Sequence, residues 1–297
     1  NGNLGRDIDF FIVDEHQANQ AIKVEEYYNN AGLYPIPYGK NKIDIMVPEE
    51  FKFKEESSGI KIIMELFYRS RLQFSGMGMG FIRRNLDEAI EHVSNRNVGG
   101  RPLLALDQVK HQVSEIQSSF TIGSAMISRS AEISGIENDL EDAAVEASSV
   151  KAFISDLMQK SAQTLAQLKG ANGYKMESVA ARGIMDSRPY QIFEGSNEML
   201  YTQISEAVVK KMMRQKTSQL LEFLKTYNIT QNAADYFKSL LDFKVDFKMP
   251  QRKSVDLGKI ISRVISANQI IDLGSKGFRI ELIRDSLESI KHEVTML

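Results

Sequence analysis

The 297-residue sequence predicts a mainly α-helical fold with a small β part, on three observations. Apolar residues recur at helical spacing over most of the chain from Gly59 onward. Short β-branched and aromatic runs, bounded by Gly, Asn and Pro, are confined to the stretch before it. Gly and Pro then cluster where the helical patterns stop.

In chain order, Asn1-Gly2-Asn3-Leu4-Gly5 leads into a strand-like run without an initiating Met, which reads as the start of a fragment. Ile8-Asp9-Phe10-Phe11-Ile12-Val13 and Lys42-Ile43-Asp44-Ile45-Met46-Val47 are the two predicted strands. A first long helix is expected over roughly Ile60 to Val93. A second follows from Val109, Val113, Ile116 and Phe120, and a third from Val150, Phe153, Leu157, Leu165 and Leu168. Gly99-Gly100, with Pro102 just inside the next start, punctuates the first; Gly170 and Gly173 end the third. Long periodic helices with short connections predict a bundle. Beyond Arg214, periodicity at Leu220, Leu224, Tyr236, Leu240, Ile260, Val264, Ile283, Leu287 and Ile290 predicts an added helical lobe. Pro250 and the basic cluster Lys248, Arg252 and Lys253 mark a linker inside it.

A formal charge of −2 gives no long-range attraction for nucleic acid or an acidic membrane surface. With no cysteine there is no disulfide, thiol nucleophile or zinc-thiolate site, which fits a cytoplasmic location. No apolar run approaches a membrane span. His16, His92, His111 and His292 show neither triad nor metal-ligand spacing, so no metal is expected.

Three segments carry residue types suited to chemistry. Arg188-Pro189-Tyr190-Gln191-Ile192-Phe193-Glu194-Gly195-Ser196-Asn197-Glu198 sets one carboxylate beside a glycine and a hydroxyl, directly before an amphipathic helix. Flanked by Phe193 and Gly195, Glu194 can occupy a partly apolar pocket, where lost hydration makes a carboxylate a stronger base. It also fits a first-turn position that complements the helix dipole, with Ser196 or Asn197 as the cap. Upstream, Gln167-Leu168-Lys169-Gly170-Ala171-Asn172-Gly173-Tyr174 carries glycines that suit either a phosphate-adjacent turn or a plain helix terminus. On the first helix, Gly76, Gly78 and Gly80 each cost about 1 kcal/mol against Ala, so close packing or ligand approach should compensate.

Together these segments resemble the acyl-CoA dehydrogenase family. Tyr190 to Ser196 matches the family's Tyr/Phe-Glu-Gly-Thr/Ser segment. The resemblance implies that Glu194 is the base that removes the α-proton of an acyl thioester, that Gly195 lies beside the substrate, and that Ser196 and Glu198 lie near the FAD diphosphate. Glu198 stands where the family often has Gln. Gln167, Gly170 and Gly173 correspond to Gln-x-x-Gly-Gly-x-Gly, which holds the adenosine-diphosphate part of FAD across a subunit interface; Ala171 replaces its second glycine. Arg96-Asn97-Val98-Gly99-Gly100-Arg101-Pro102-Leu103 resembles Arg-x-x-Phe-Gly-x-Pro-Leu, with Arg96 as the arginine that reaches the flavin diphosphate and Gly99 in place of Phe. Met64 to Gly76 resembles the helix lining the substrate channel, which implies substrate contacts for Phe67 and Arg71, the latter near the CoA moiety. Tyr68 sits where many members have Asp, and Ser70 where some carry the catalytic Glu; a Ser there agrees with Glu194 as the base.

The implied architecture is a partial middle β-domain over 1–56, an acyl-CoA dehydrogenase-like C-terminal four-helix bundle over 57–214, and an additional helical extension over 215–297. The implied reaction is FAD-dependent α,β-dehydrogenation of an acyl-CoA, with electrons leaving to an electron-transfer flavoprotein, in a homodimer or homotetramer. An acyl-CoA oxidase, a non-dehydrogenase flavoprotein of the alkylation-response type and a catalytically silent assembly module remain open on the same scaffold.

Overall fold

A computed structural model describes residues 8–14, 16, 20–54 and 58–297; the opening stretch Asn1 to Gly5 lies outside the described residues. The chain divides into two compact units, Asn1–Phe67 and Tyr68–Leu297.

In the first unit, β1 (Gln20–Tyr27) pairs antiparallel with β2 (Gly39–Ile45), Gln20 opposite Ile45 and Tyr27 opposite Gly39. A side chain at Gly39 would meet the Glu26 carbonyl oxygen at 2.3 Å, so the two backbones approach too closely for any residue but glycine. The strand expected at Lys42 to Val47 is therefore β2, shifted toward its N-terminal side. Ile8 to Val13 is not a strand. Its one bridge joins Phe11 to Lys52, flanked by the bonds Ile12 N–H to Phe51 O and Phe53 N–H to Phe10 O, and on the Phe51 side the facing segment is the tight turn Glu49–Phe51. β1 alternates Ile22 and Val24 with Lys23 and Glu25, a period-two signal that a search for continuous apolar runs passes over.

Helix α1 (Gly59–Asn95) spans the division between the units. After it, β3 (Asn97–Val98) and β4 (Arg101–Pro102) form a minimal hairpin. Gly99 and Gly100 have φ of +59° and +80°, as the two-residue turn of such a hairpin requires; they turn a ribbon rather than cap the helix. Helices α2 (Asp107–Ile133), α3 (Ala144–Lys169), α4 (Val179–Ser187) and α5 (Asn197–Arg214) follow. α6 (Leu220–Thr226), α7 (Lys238–Leu241), α8 (Gln251–Ser275) and α9 (Ile280–Thr295) complete the chain. Pro250 is the N-cap residue of α8, with Arg252 and Lys253 in its first turn, so the basic cluster opens a helix instead of marking a linker. A proline there sacrifices no hydrogen bond, since the first N–H groups of a helix have no partner within it.

Helix α3 is central to the second unit, packing on α2, α4, α5 and α8, while α9 lies on α2 and α8. Ile82 of α1, Ile116 and Met126 of α2, Phe153 and Ile154 of α3 and Leu200 of α5 are buried in one apolar core. Phe237, Ile261 and Ile290 from the segment beyond 214 belong to that same core. Two glycines set the closest approaches. A Cβ at Gly78 would lie 2.3 Å from Ile154 on α3, and one at Gly258 on α8 would lie 1.9 Å from the Tyr201 carbonyl oxygen on α5. Packing thus compensates for glycine at 78, whereas a Cβ at Gly80 would meet nothing within 4 Å. No helix of the described residues is long and apolar enough to cross a membrane.

Candidate active site

The turn between α4 and α5 is built by its own sequence. Pro189 opens a short 3-10 turn, Arg188–Gln191, and the Phe193 N–H returns to the Pro189 carbonyl at 3.0 Å. Tyr190 and Phe193 pack on each other and on Phe74 of α1, with ring centroids 5.1 to 5.7 Å apart in tilted and edge-on geometries that suit aromatic quadrupoles. The chain then reverses through two left-handed residues, Glu194 at φ +55° and Gly195 at φ +99°. Ser196 caps α5 by accepting the Met199 N–H at 3.4 Å. A glutamate in the left-handed region costs on the order of 1–2 kcal/mol, so the surroundings must hold it there.

They do so from two helices. Ser70 Oγ of α1 donates to Glu194 Oε1 at 2.7 Å, and Arg71 Nη2, one residue on, donates to the Glu194 carbonyl at 3.1 Å. Arg71 is 5% exposed and reaches Ser148 Oγ at 3.2 Å with its other terminal nitrogen. Burial lowers its pKa, opposed by the nearby Tyr68 and Glu194. From α3, Lys151 Nζ donates to the Gly195 carbonyl at 2.8 Å and to Asn197 Oδ1 at 3.1 Å. The Asn197 amide in turn donates to the Ala152 carbonyl at 3.0 Å and to Asp156 Oδ1 at 2.7 Å. The second carboxylate oxygen, Glu194 Oε2, is buried and has no hydrogen-bond partner among the described residues. An ionised oxygen left so is costly as structure, and is what a carboxylate awaiting an external proton presents.

Behind the turn, Asp156 gathers a partly buried network. It accepts from Gln191 at 2.7 Å and from the Tyr201 hydroxyl at 2.6 Å, and Arg263 Nη1 of α8 donates to that hydroxyl at 2.8 Å. Arg263 also pairs with Glu293 of α9 at 3.2 Å and lies 4.0 Å above the Phe153 ring. Burial alone would lower the Arg263 pKa; Tyr201, Glu293 and Asp156 outweigh it and raise it. The tail helices are in this way wired to the residues on both sides of Glu194.

Of the residues expected from sequence, Glu194, Arg71, Gly195 and Ser196 come together in this one constellation. Glu198 is exposed in the first turn of α5, and Phe67 is the last residue of the first unit. Gln167, Gly170 and Gly173 form a second group at the end of α3. Gly170 adopts φ +57° with no atom within 4 Å of a would-be Cβ, an open backbone position; Gly173 is buried, 2.5 Å from the Ala166 carbonyl oxygen by the same measure. Arg96 is exposed just beyond α1, and its N–H bonds the His92 carbonyl at 2.9 Å. His92 has its pKa lowered by burial and by the cations Lys169 and Arg96, and Lys169 is itself paired with Glu88. Lys151, Asp156 and Arg263 are site residues that no motif announced, and Asn197, expected at most as a cap, instead bonds Lys151 and Asp156. The one signal in sequence was a lone lysine amid Ala147, Val150, Ala152, Phe153 and Ile154.

Fold and site together define a helical domain that holds a strained carboxylate at the turn before α5, with an open left-handed glycine at the far end of α3. Residues 57–209 match the family model of the acyl-CoA dehydrogenase C-terminal domain, and the chain belongs to the acyl-CoA dehydrogenase family. An acyl-CoA dehydrogenase of Bacillus subtilis is 25% identical over 197 residues, 65% of this chain and 50% of that protein. The short-chain-specific enzyme of Megasphaera elsdenii is 25% identical over 156 residues, 52% of this chain and 40% of its own length. The chain thus spans half or less of these curated relatives. Among solved structures, an acyl-CoA dehydrogenase complexed with FAD from Bacillus anthracis superposes with a TM-score of 0.76 at 17% identity, covering 96% of this chain and 56% of that one. At that coverage the fold likeness takes in helices beyond 214.

Proposed function

We propose that this helical unit supplies the base for α,β-dehydrogenation of an acyl-CoA thioester, with Glu194 removing the α-proton. The observation that carries the reading is the buried, unpartnered Oε2 of Glu194, held by a left-handed turn whose other oxygen is fixed by Ser70. A general base must be pre-aimed and acceptor-ready, and this oxygen is both. The Glu194 N–H makes no hydrogen bond within the described residues and is the candidate donor to the thioester oxygen as negative charge develops there. Phe67, Arg71 and Gly195 are assigned to the substrate side. Arg96, Gln167, Gly170, Gly173, Ser196 and Glu198 are assigned to FAD; exposed Glu198, an anion, would repel the phosphates unless it turned away from them. Bound FAD would supply the acceptor for the β-hydride. An electron-transfer flavoprotein is the assigned electron acceptor and a homodimer or homotetramer the assigned assembly.

Anaerobic mixing of the FAD-loaded full chain with a panel of saturated acyl-CoAs tests this. The visible flavin band should bleach with one chain-length class, and Glu194→Gln should retain the band without bleaching. Bleaching of Glu194→Gln at the wild-type rate would remove Glu194 from the role. Absence of bleaching with every acyl-CoA, despite bound FAD, would favour a non-dehydrogenase homologue.

A further inference from the structure

Lys151 has no part in the reading above, yet it is a 0%-exposed ammonium inside the core of α3. Its partners are the Gly195 carbonyl and the Asn197 amide oxygen, not a carboxylate. Desolvating a cation with no carboxylate in hydrogen-bond contact is expensive, and a Met of similar volume would fill the same space at less cost. Both of its partners lie in the three residues that follow Glu194. With Arg71 on the Glu194 carbonyl, two cations from two helices seize two consecutive carbonyls of the base turn. The two carbonyls flank the Cα of left-handed Gly195, so the cations fix the chain that leaves Glu194.

We propose that Lys151 is a positioning residue for the base: its protonated amine clamps Gly195 and Asn197 and so holds the Glu194 carboxylate in its working orientation. The proposal rests on Glu194 being the base. The charged groups facing Lys151 are Arg71 of α1, Glu194 of the turn, Asp156 of its own helix and Glu198 of α5. Burial, and then Arg71, lower the Lys151 pKa to about 8, with the three carboxylates opposing. Charge-assisted hydrogen bonds are roughly twice as strong as neutral ones. The clamp is therefore at full strength below that pH and weakens as pH rises through it.

The test joins a titration to a kinetic split. In the FAD-loaded full chain labelled with ¹³C at lysine Cε, one resonance, absent from Lys151→Met, should titrate near pH 8. The rate of α-proton exchange from a bound acyl-CoA should fall over the same range. Lys151→Met should lower kcat about 100-fold with KM within about twofold, as expected for a misplaced but present base. Lys151→Arg, which keeps the charge to higher pH, should recover part of kcat and lose the alkaline limb. A wild-type lysine that stays charged past pH 10 while exchange already declines would overturn the proposal without need of any variant. So would Lys151→Met with unchanged kcat and pH profile, provided Glu194→Gln abolishes exchange. If Glu194→Gln retains exchange, it is the base assignment that fails.

Discussion

Ser70 Oγ and Glu194 Oε1 lie 2.7 Å apart although 124 residues separate them in sequence. One oxygen of the carboxylate is thus tied to α1 while the other, Oε2, is buried with no partner among the described residues. Removing the tie should cost orientation more than binding. Ser70→Ala is expected to lower kcat about tenfold and leave KM nearly unchanged, the pattern of an interaction that matters in the transition state. Steady-state kinetics with the preferred acyl-CoA decide it.

The same closeness predicts that the base can be moved. A carboxylate at position 70 would reach the space that the Glu194 carboxylate now fills, and glycine at 194 would relieve the left-handed strain. The double variant Ser70→Glu with Glu194→Gly should recover a measurable fraction of the proton abstraction that Glu194→Gly alone loses. Flavin bleaching rates of the single and double variants give the comparison.

The network through Asp156 predicts a stability role for the tail. Arg263→Met leaves the Tyr201 hydroxyl, Asp156 and Glu293 without their shared cation. Both carboxylates stay partly hydrated and Glu293 keeps Lys160, so the cost falls below that of stranding a fully buried charge, and the melting temperature should drop by a few degrees. Because Asp156 also holds Gln191 and Asn197 on either side of Glu194, kcat should fall along with it. Thermal melts and kinetics on the same preparation separate the two effects.

Glycine positions give a cleaner contrast. Gly258→Ala drives a methyl into the Tyr201 backbone, where no rotamer can relieve the clash, and should destabilise strongly by prising α8 from α5. Gly80→Ala meets nothing and should stabilise by about 1 kcal/mol through helix propensity alone. Urea midpoints of the two variants should move in opposite directions.

The helices were legible because burial of one face imposes a period that sequence records: α1, α2 and α3 fall where the apolar spacing predicts them. The Glu194 turn was legible because Pro189, Gly195 and Ser196 are local signals for a turn followed by a capped helix. What holds that turn was not. Lys151 reaches Gly195 across 44 residues, Arg263 reaches Tyr201 across 62, and Asp156 collects donors from the turn before Glu194 and from α5 after it. Such bonds depend on which helices become neighbours, and no spacing rule encodes that. The Ile8 to Val13 expectation failed for the related reason that a strand needs a run of partners, and here pairing is limited to the single bridge of Phe11 with Lys52.

The central claim is that Glu194 takes the α-proton. The most direct measurement incubates the FAD-loaded full chain anaerobically in D₂O with a saturated acyl-CoA and follows its α-proton resonance by NMR. Wild type should exchange the α-proton for deuterium, and Glu194→Gln, with its flavin band intact, should exchange it at least about 1,000-fold more slowly. Exchange in Glu194→Gln at the wild-type rate would contradict the account.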